Sequence, residues 1–181
     1  EDGEIDWEKL RTTTHKTVHF LDNVIDANKY PIPQIEKTTK LTRKIGLGVM
    51  GFADMLIQLG IPYNSEDAVR TAEKIMKCII EEGRKTSVET AKKRGSFPAF
   101  KGSVWDSLGY REMRNATITT IAPTGSISII AGASSGIEPL FAVCFVRNIM
   151  DNTELLEVNP LFKQIAQHEG FYSEELMKKV A

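Results

Sequence analysis

The sequence predicts a helix-rich α/β fold, and three stretches carry that expectation. Residues 65–94 hold apolar side chains at helical spacing without a proline. Residues 115–121 are dense in β-branched side chains and read as a strand. Residues 140–146 read as a second, well-buried strand, with a turn and a short helix between the two. The order is helices first, then strand, helix and strand.

Taken along the chain, Asp6 caps a first helix in which Trp7, Leu10, Thr14, Val18, Leu21, Val24 and Ile25 recur at helical spacing to about Ala27. Tyr30-Pro31-Ile32-Pro33 breaks it, and residues 34–41 have room for one or two helical turns. Ile45-Gly46-Leu47-Gly48-Val49-Met50-Gly51 satisfies the glycine spacing of a dinucleotide-binding turn, but such a site needs a buried strand before it and a return strand after it. Residues 40–44 are too polar for a central strand, and a helix over residues 52–59 follows. The glycines are therefore read as permitting close backbone packing where that helix starts, and Gly60 stops it.

In the long helix, Asn64 or Ser65 caps the start, and Glu66 and Asp67 complement the dipole there. Lys92, Lys93 and Arg94 complement the other end, and Gly95 is the C-terminal cap. Its buried stripe is Ala68, Ala72, Ile75, Met76, Ile79 and Val88, and at 1.5 Å per residue it is roughly 45 Å long. Residues 95–110 form a loop carrying Phe97, Phe100 and Trp105. Pro160 opens a helix to about His168, and Ser173 caps a short one with acids first and Lys178-Lys179 last. The expected organisation is one piece: mainly helical over residues 1–110, strand–turn–helix–strand over 111–150, and helical over 151–181.

The 181 residues are 41% hydrophobic and 26% charged, ordinary globular values. A net charge of −1 gives no footprint for a nucleic-acid polymer. No apolar run approaches a membrane span, so no membrane partner is expected. Two cysteines do not make a secreted disulfide framework, and cytoplasm is the expected compartment.

The chemistry concentrates between the two expected strands. Pro123 ends the first, having no N–H for a ladder. Thr124, Gly125 and Ser126 then open an apolar helix over residues 127–131. A helix start leaves backbone N–H groups unpaired, and the hydroxyls of Thr124, Ser126 and Ser128 beside them make an anion site suited to phosphate. The nucleoside-triphosphatase ending Gly-Lys-Ser/Thr is absent. An ordinary strand-to-helix turn with Ser and Thr as caps is the other reading. His15 and His19 lie four apart on the first helix with Asp22 and Asp26 on the same face, but Lys16 stands where a zinc hydrolase has Glu. They read as exposed histidines beside acidic partners, with no metal site. Cys78 and Cys144 read as structural, buried or half-buried thiols.

The wording of this region goes beyond hydroxyl composition. Asn115-Ala116-Thr117 through Ile121-Ala122-Pro123-Thr124-Gly125-Ser126-Ile127-Ser128, then Ser134-Ser135-Gly136-Ile137-Glu138-Pro139, resembles the large subunit of ribonucleotide reductases. The chain looks most like the adenosylcobalamin-dependent, class II members. Arg43-Lys44-Ile45-Gly46-Leu47-Gly48-Val49-Met50-Gly51-Phe52-Ala53-Asp54 and Thr153-Glu154-Leu155-Leu156-Glu157-Val158-Asn159-Pro160-Leu161-Phe162 agree, in the family's order.

The resemblance implies part of a ten-stranded α/β barrel and conversion of ribonucleotides to deoxyribonucleotides by a cysteine thiyl radical. It implies that Pro123, Thr124, Gly125, Ser126 and Ile127 wrap the substrate's phosphates; diphosphate and triphosphate both stay open. The N–H groups of Gly125, Ser126 and Ile127 are the expected donors. Glu138 is expected to orient its loop through backbone N–H groups, or to cap a turn, rather than to act in catalysis. The family's Asn-Leu-Cys-x-Glu loop and reducing cysteine pair are absent, and the chain opens at Glu1 without Met. These features imply an excised piece of a longer catalytic subunit, inert by itself. The partners implied are a ribonucleotide, the remainder of its own polypeptide and, left open, a second copy of the full-length enzyme. Adenosylcobalamin would belong to the full-length enzyme. A non-enzymatic helical scaffold or phosphate-binding module is the alternative.

Overall fold

The computed structural model describes residues 4–149 and 153–181. They divide into two compact units, one within Glu1–Val49 and Glu66–Pro123, the other within Met50–Ser65 and Thr124–Ala181. None of the described helices is long and apolar enough to cross a membrane.

The first unit is built on two helices, α1 (Trp7–Ala27) and α4 (Glu66–Arg94), which pack together. Asp6 caps α1 as its sequence predicts, accepting from Lys9 N–H at 2.9 Å. Helix α2 (Pro33–Thr42) is longer than the one or two turns expected, because Pro33 at its first turn supplies a preset φ. The loop after α4 contains one short helix, α5 (Val104–Ser107), which Ser103 caps. Phe97 and Phe100 from that loop meet edge to face and join Val18, Ile25, Ile45, Met113 and Ile118 in the core.

Residues 115–121, expected as a strand, form none: Leu47 and Thr119 make one isolated parallel bridge, and Ala116 lies in a bend. Leu47 N–H donates to Ile118 O at 2.7 Å and Thr120 N–H returns to Leu47 O at 3.0 Å. Among the described residues no further strand continues this pairing. Gly46 and Gly48 do serve close backbone packing, but against this segment and not at a helix start. A Cβ on Gly46 would lie 2.8 Å from Thr120 Cγ2, and one on Gly48 3.0 Å from Thr120 O.

A buried charge cluster holds the unit together where the sequence suggested an exposed acidic face. Asp22 is 1% exposed. Its carboxylate accepts from Arg43 Nη2 at 2.8 Å, Arg43 Nε at 3.0 Å and Asn115 Nδ2 at 3.0 Å. Arg114 Nε approaches at 3.2 Å and Arg94 Nη1 at 3.4 Å. Arg43 reaches back also to Asp26, with its own backbone at φ 44°, in the left-handed region. The second half of α4 buries Glu82, Thr86, Ser87 and Thr90, where only Val88 was expected. Thr86 and Thr90 hydroxyls donate to carbonyls one turn back, and Ser87 Oγ to Asn115 Oδ1, so these small polar groups enter the interior satisfied.

The second unit carries α3 (Phe52–Gln58), α6 (Gly125–Ala131), a hairpin of β1 (Cys144–Ile149) and β2 (Thr153–Val158), α7 (Pro160–His168) and α8 (Glu174–Val180). The hairpin is antiparallel, in register from Cys144 opposite Val158 to Ile149 opposite Thr153. Strand β1 thus starts at Cys144, not at residue 140, and Phe141, expected in a buried strand, is fully exposed. Strand β2 lies in a stretch expected to be helical; pairing with an apolar partner strand overrides the weak local preference of Glu154-Leu155-Leu156-Glu157. Helix α8 packs on the hairpin through buried Met177, whose Sδ lies 3.6 Å from Cys144 Sγ. Asn159 and Ser173 cap α7 and α8 as expected.

Candidate functional site

Thr124 turns the chain and Gly125 begins α6. Thr124 has φ 55° and ψ 23°, the left-handed region that a β-branched residue rarely enters. The first helical bond runs from Ser128 N–H to Thr124 O at 2.8 Å. The N–H groups of Gly125, Ser126 and Ile127 therefore precede the bonded ladder, and all three residues are exposed. Ile129 and Ile130 of this apolar helix are exposed as well.

The three hydroxyls expected at the turn point in different directions. Ser128 is buried; its Oγ donates to Gly125 O at 3.1 Å and lies 3.0 Å from Ser135 Oγ. It faces the protein, not a ligand. Thr124 Oγ1 accepts from Gly136 N–H at 2.7 Å, and its own hydrogen stays available to donate. Ser126 is exposed.

Residues 134–136 are held from α3 as well. The Asp54 carboxylate accepts Ser134 N–H, Ser134 Oγ accepts Asp54 N–H at 3.4 Å, and Gly51 N–H donates to Ser134 O at 2.7 Å. This is the orienting role that the sequence suggested for Glu138. Glu138 is instead exposed, and among the described residues its carboxylate makes no hydrogen bond, because the nearby loop N–H groups are already taken by Asp54 and Thr124. In the sequence Asp54 closes the Arg43–Asp54 segment that carries the resemblance, and its local signal is an acid in the first turn of a helix.

Beside the turn lies a cavity of about 820 Å³, whose lining includes Asp54, Ser128, Ser135, Glu138, Phe141 and Phe145. Residues 123–127 do not line it.

The remaining candidates separate. His15 Nε2 is 2.7 Å from Glu82 Oε2, whereas His19 faces Arg94 at 3.2 Å and Asn23 at 3.3 Å, so the acidic partner expected for His19 is missing. Lys85 and His15 hold the Glu82 carboxyl below its ordinary value. Asp22 and Asp26 belong to the arginine cluster, and no group of metal-ligating side chains occurs among the described residues. Cys78 is half-buried and Cys144 buried, and burial pushes the Cys144 thiol up.

Packed helices and a short parallel pairing are consistent with a fragment of an α/β barrel. The chain belongs to the ribonucleotide reductase family: the sequence pattern of the ribonucleotide reductase barrel domain matches residues 1–113 and 106–181. It is 59% identical over 177 residues to the vitamin B12-dependent ribonucleoside-diphosphate reductase of Thermoplasma acidophilum, covering 98% of this chain and 23% of that protein. The Mycobacterium tuberculosis H37Rv protein of the same name is 48% identical over 180 residues, covering 99% and 25%. The large subunit of variola virus ribonucleoside-diphosphate reductase is 28% identical over 203 residues, covering 99% and 26%. The chain spans about a quarter of the length of these relatives.

Proposed function

We propose that this chain is the phosphate-holding part of a ribonucleotide reductase catalytic subunit, one that reduces ribonucleoside diphosphates to deoxyribonucleotides through a cysteine thiyl radical. The observation that carries the reading is the exposed run of N–H groups at Gly125, Ser126 and Ile127, in a chain 59% identical to a vitamin B12-dependent ribonucleoside-diphosphate reductase. Those three N–H groups and the Thr124 and Ser126 hydroxyls are the donors, and Pro123 sets the entry to the turn. No Lys or Arg stands in residues 121–128, so what this turn itself offers the phosphates is neutral dipoles. The contribution is orientation: anchored phosphates fix the ribose against the reacting groups.

Adenosylcobalamin, which the relatives' names imply, supplies the radical when bound, and the described residues do not fit it. His15, His19 and His168 are all exposed, and each lies against a neighbouring side chain. Neither cysteine suits the radical or the reducing role: Cys144 is sealed against Met177, and Cys78 is half-buried on α4. The reading assigns the cofactor, the reactive cysteines and any subunit interface to the remainder of the polypeptide, in the cytoplasm.

The test is Gly125→Val in the full-length reductase. A Cβ at Gly125 meets nothing within 4 Å of this chain, so the substitution is expected to act on the ligand, with a far-UV circular dichroism spectrum matching the parent's. Losing hydrogen bonds to a charged phosphate should raise KM for the diphosphate roughly 10- to 100-fold. Unchanged kinetics would place the phosphates elsewhere.

A further inference from the structure

We infer that Asp54 is a positioning residue for nucleotide binding: it anchors residues 134–136, and through them it holds Thr124 in the backbone conformation that presents the turn's N–H groups. The inference rests on reading that turn as the phosphate site.

The argument begins with Thr124. A β-branched residue at φ 55° persists only where its surroundings hold it there. Within the turn the Thr124 carbonyl accepts Ser128 N–H at 2.8 Å, as any helix start requires, but its side chain makes no capping bond to α6. Its hydroxyl oxygen instead accepts Gly136 N–H at 2.7 Å. The side-chain hold on Thr124 therefore comes from Gly136, in the loop of residues 134–136.

That loop is in turn fixed mainly at Ser134, by three bonds from the start of α3. The Asp54 carboxylate takes Ser134 N–H, Asp54 N–H reaches Ser134 Oγ at 3.4 Å, and Gly51 N–H reaches Ser134 O at 2.7 Å. Of these, the carboxylate bond is charge-assisted and the strongest. Asp54 is half-buried, which limits competition from water. Ser135 adds one weaker tie, hydroxyl to hydroxyl, at Ser128. Every residue in this series lies in the same compact unit. Among the described residues Asp54 makes no hydrogen bond to residues 124–127, so its action runs through the loop.

The experiment uses the full-length reductase, with ribonucleoside diphosphate as the probe, followed by steady-state kinetics and by calorimetric binding without reductant. Asp54→Ala should raise both KM and Kd about five- to tenfold, the loss of one charge-assisted bond acting at one remove, with kcat within about twofold. Asp54→Asn should stay near the parent, because its amide oxygen still accepts Ser134 N–H. In a Thr124→Gly background, where glycine adopts the left-handed region unaided, Asp54→Ala should add little further. Where Asp54→Ala does not fold, Asp54→Ser takes its place with the same expectation, being too short to reach Ser134.

Unchanged Kd in Asp54→Ala or Asp54→Ser, with Gly125→Val still weakening binding, overturns the brace and leaves the phosphate reading intact. Equal losses in Asn and Ala, or a fall in kcat alone, also overturn it. Unchanged binding in Gly125→Val as well refutes both.

Discussion

Replacing Asp22 by Asn should lower stability by about 3–5 kcal/mol, the range for breaking a buried ion pair from one side. The carboxylate is 1% exposed and gathers five donors: two from Arg43, one each from Asn115, Arg114 and Arg94, at 2.8 to 3.4 Å. At an effective dielectric of ~20, each guanidinium about 4 Å from the carboxylate contributes roughly 4 kcal/mol of attraction. The several kcal/mol needed to strip water from each ion offset most of that sum. Asparagine keeps the shape but turns one NH₂ toward a guanidinium and removes the charge. Three arginines are then left with Asp26, whose side chain is 50% exposed. The assay is urea unfolding at neutral pH, repeated at about 1 M salt. Buried pairs are screened far less than surface ones, so the deficit should survive the salt. A deficit under about 1 kcal/mol, or one that salt abolishes, would show that the cluster behaves as a surface network and refute the reasoning.

The same cluster sets an acid limit. Burial pushes the Asp22 carboxyl up, but its bonds and charge contacts with Arg43, then Arg114 and Asn115, outweigh burial and hold it below the ordinary value; the Arg43 hydrogen bonds dominate at Asp26. A folded pKa below the unfolded one means that this stability is complete above roughly pH 4–5 and is lost as pH falls through the lowered values. Unfolding followed from pH 7 to pH 2 should show that loss, and Asp22→Asn should flatten it; an equally steep acid limb in the variant would exclude Asp22 as its source. Gly83→Ala should destabilise the protein by about 1 kcal/mol although alanine favours helix by about the same amount, because overpacking costs about 1–3 kcal/mol. The new Cβ would sit 2.8 Å from Ile118 Cγ2, a methyl on a branched carbon that cannot swing aside, and a stabilised variant would contradict that fit.

What the sequence made legible was whatever short range decides. Asp6, Asn159 and Ser173 each cap the helix that their position predicts, because a cap needs only a side chain and an N–H two or three residues on. Asp22 escaped the same reasoning. It stands one turn from His19 on α1 and looks like part of an exposed polar face, but its arginines arrive from positions 43, 94 and 114. The polar half of the buried face of α4 escaped for the same cause: Ser87 is buried because Asn115, 28 residues on, completes its bonding. The hairpin escaped because β2 reads as helical or neutral until β1 is beside it.

The turn shows where composition stops and geometry begins. Thr124, Ser126 and Ser128 look equivalent in the sequence, three hydroxyls spaced two apart around a glycine. Their fates differ because one loop takes two of them: Gly136 N–H engages Thr124 and Ser135 engages Ser128, leaving Ser126 exposed. That loop keeps its place through Asp54, 80 residues before Ser134. Only Ser128 is turned fully into the protein; Thr124 accepts from the loop and keeps its own hydrogen to donate, as the proposed phosphate site requires. Thr124 sits in the left-handed region, and the loop that engages its hydroxyl is tied through Ser134 to Asp54, a carboxylate that makes no hydrogen bond to residues 124–127 among the described residues.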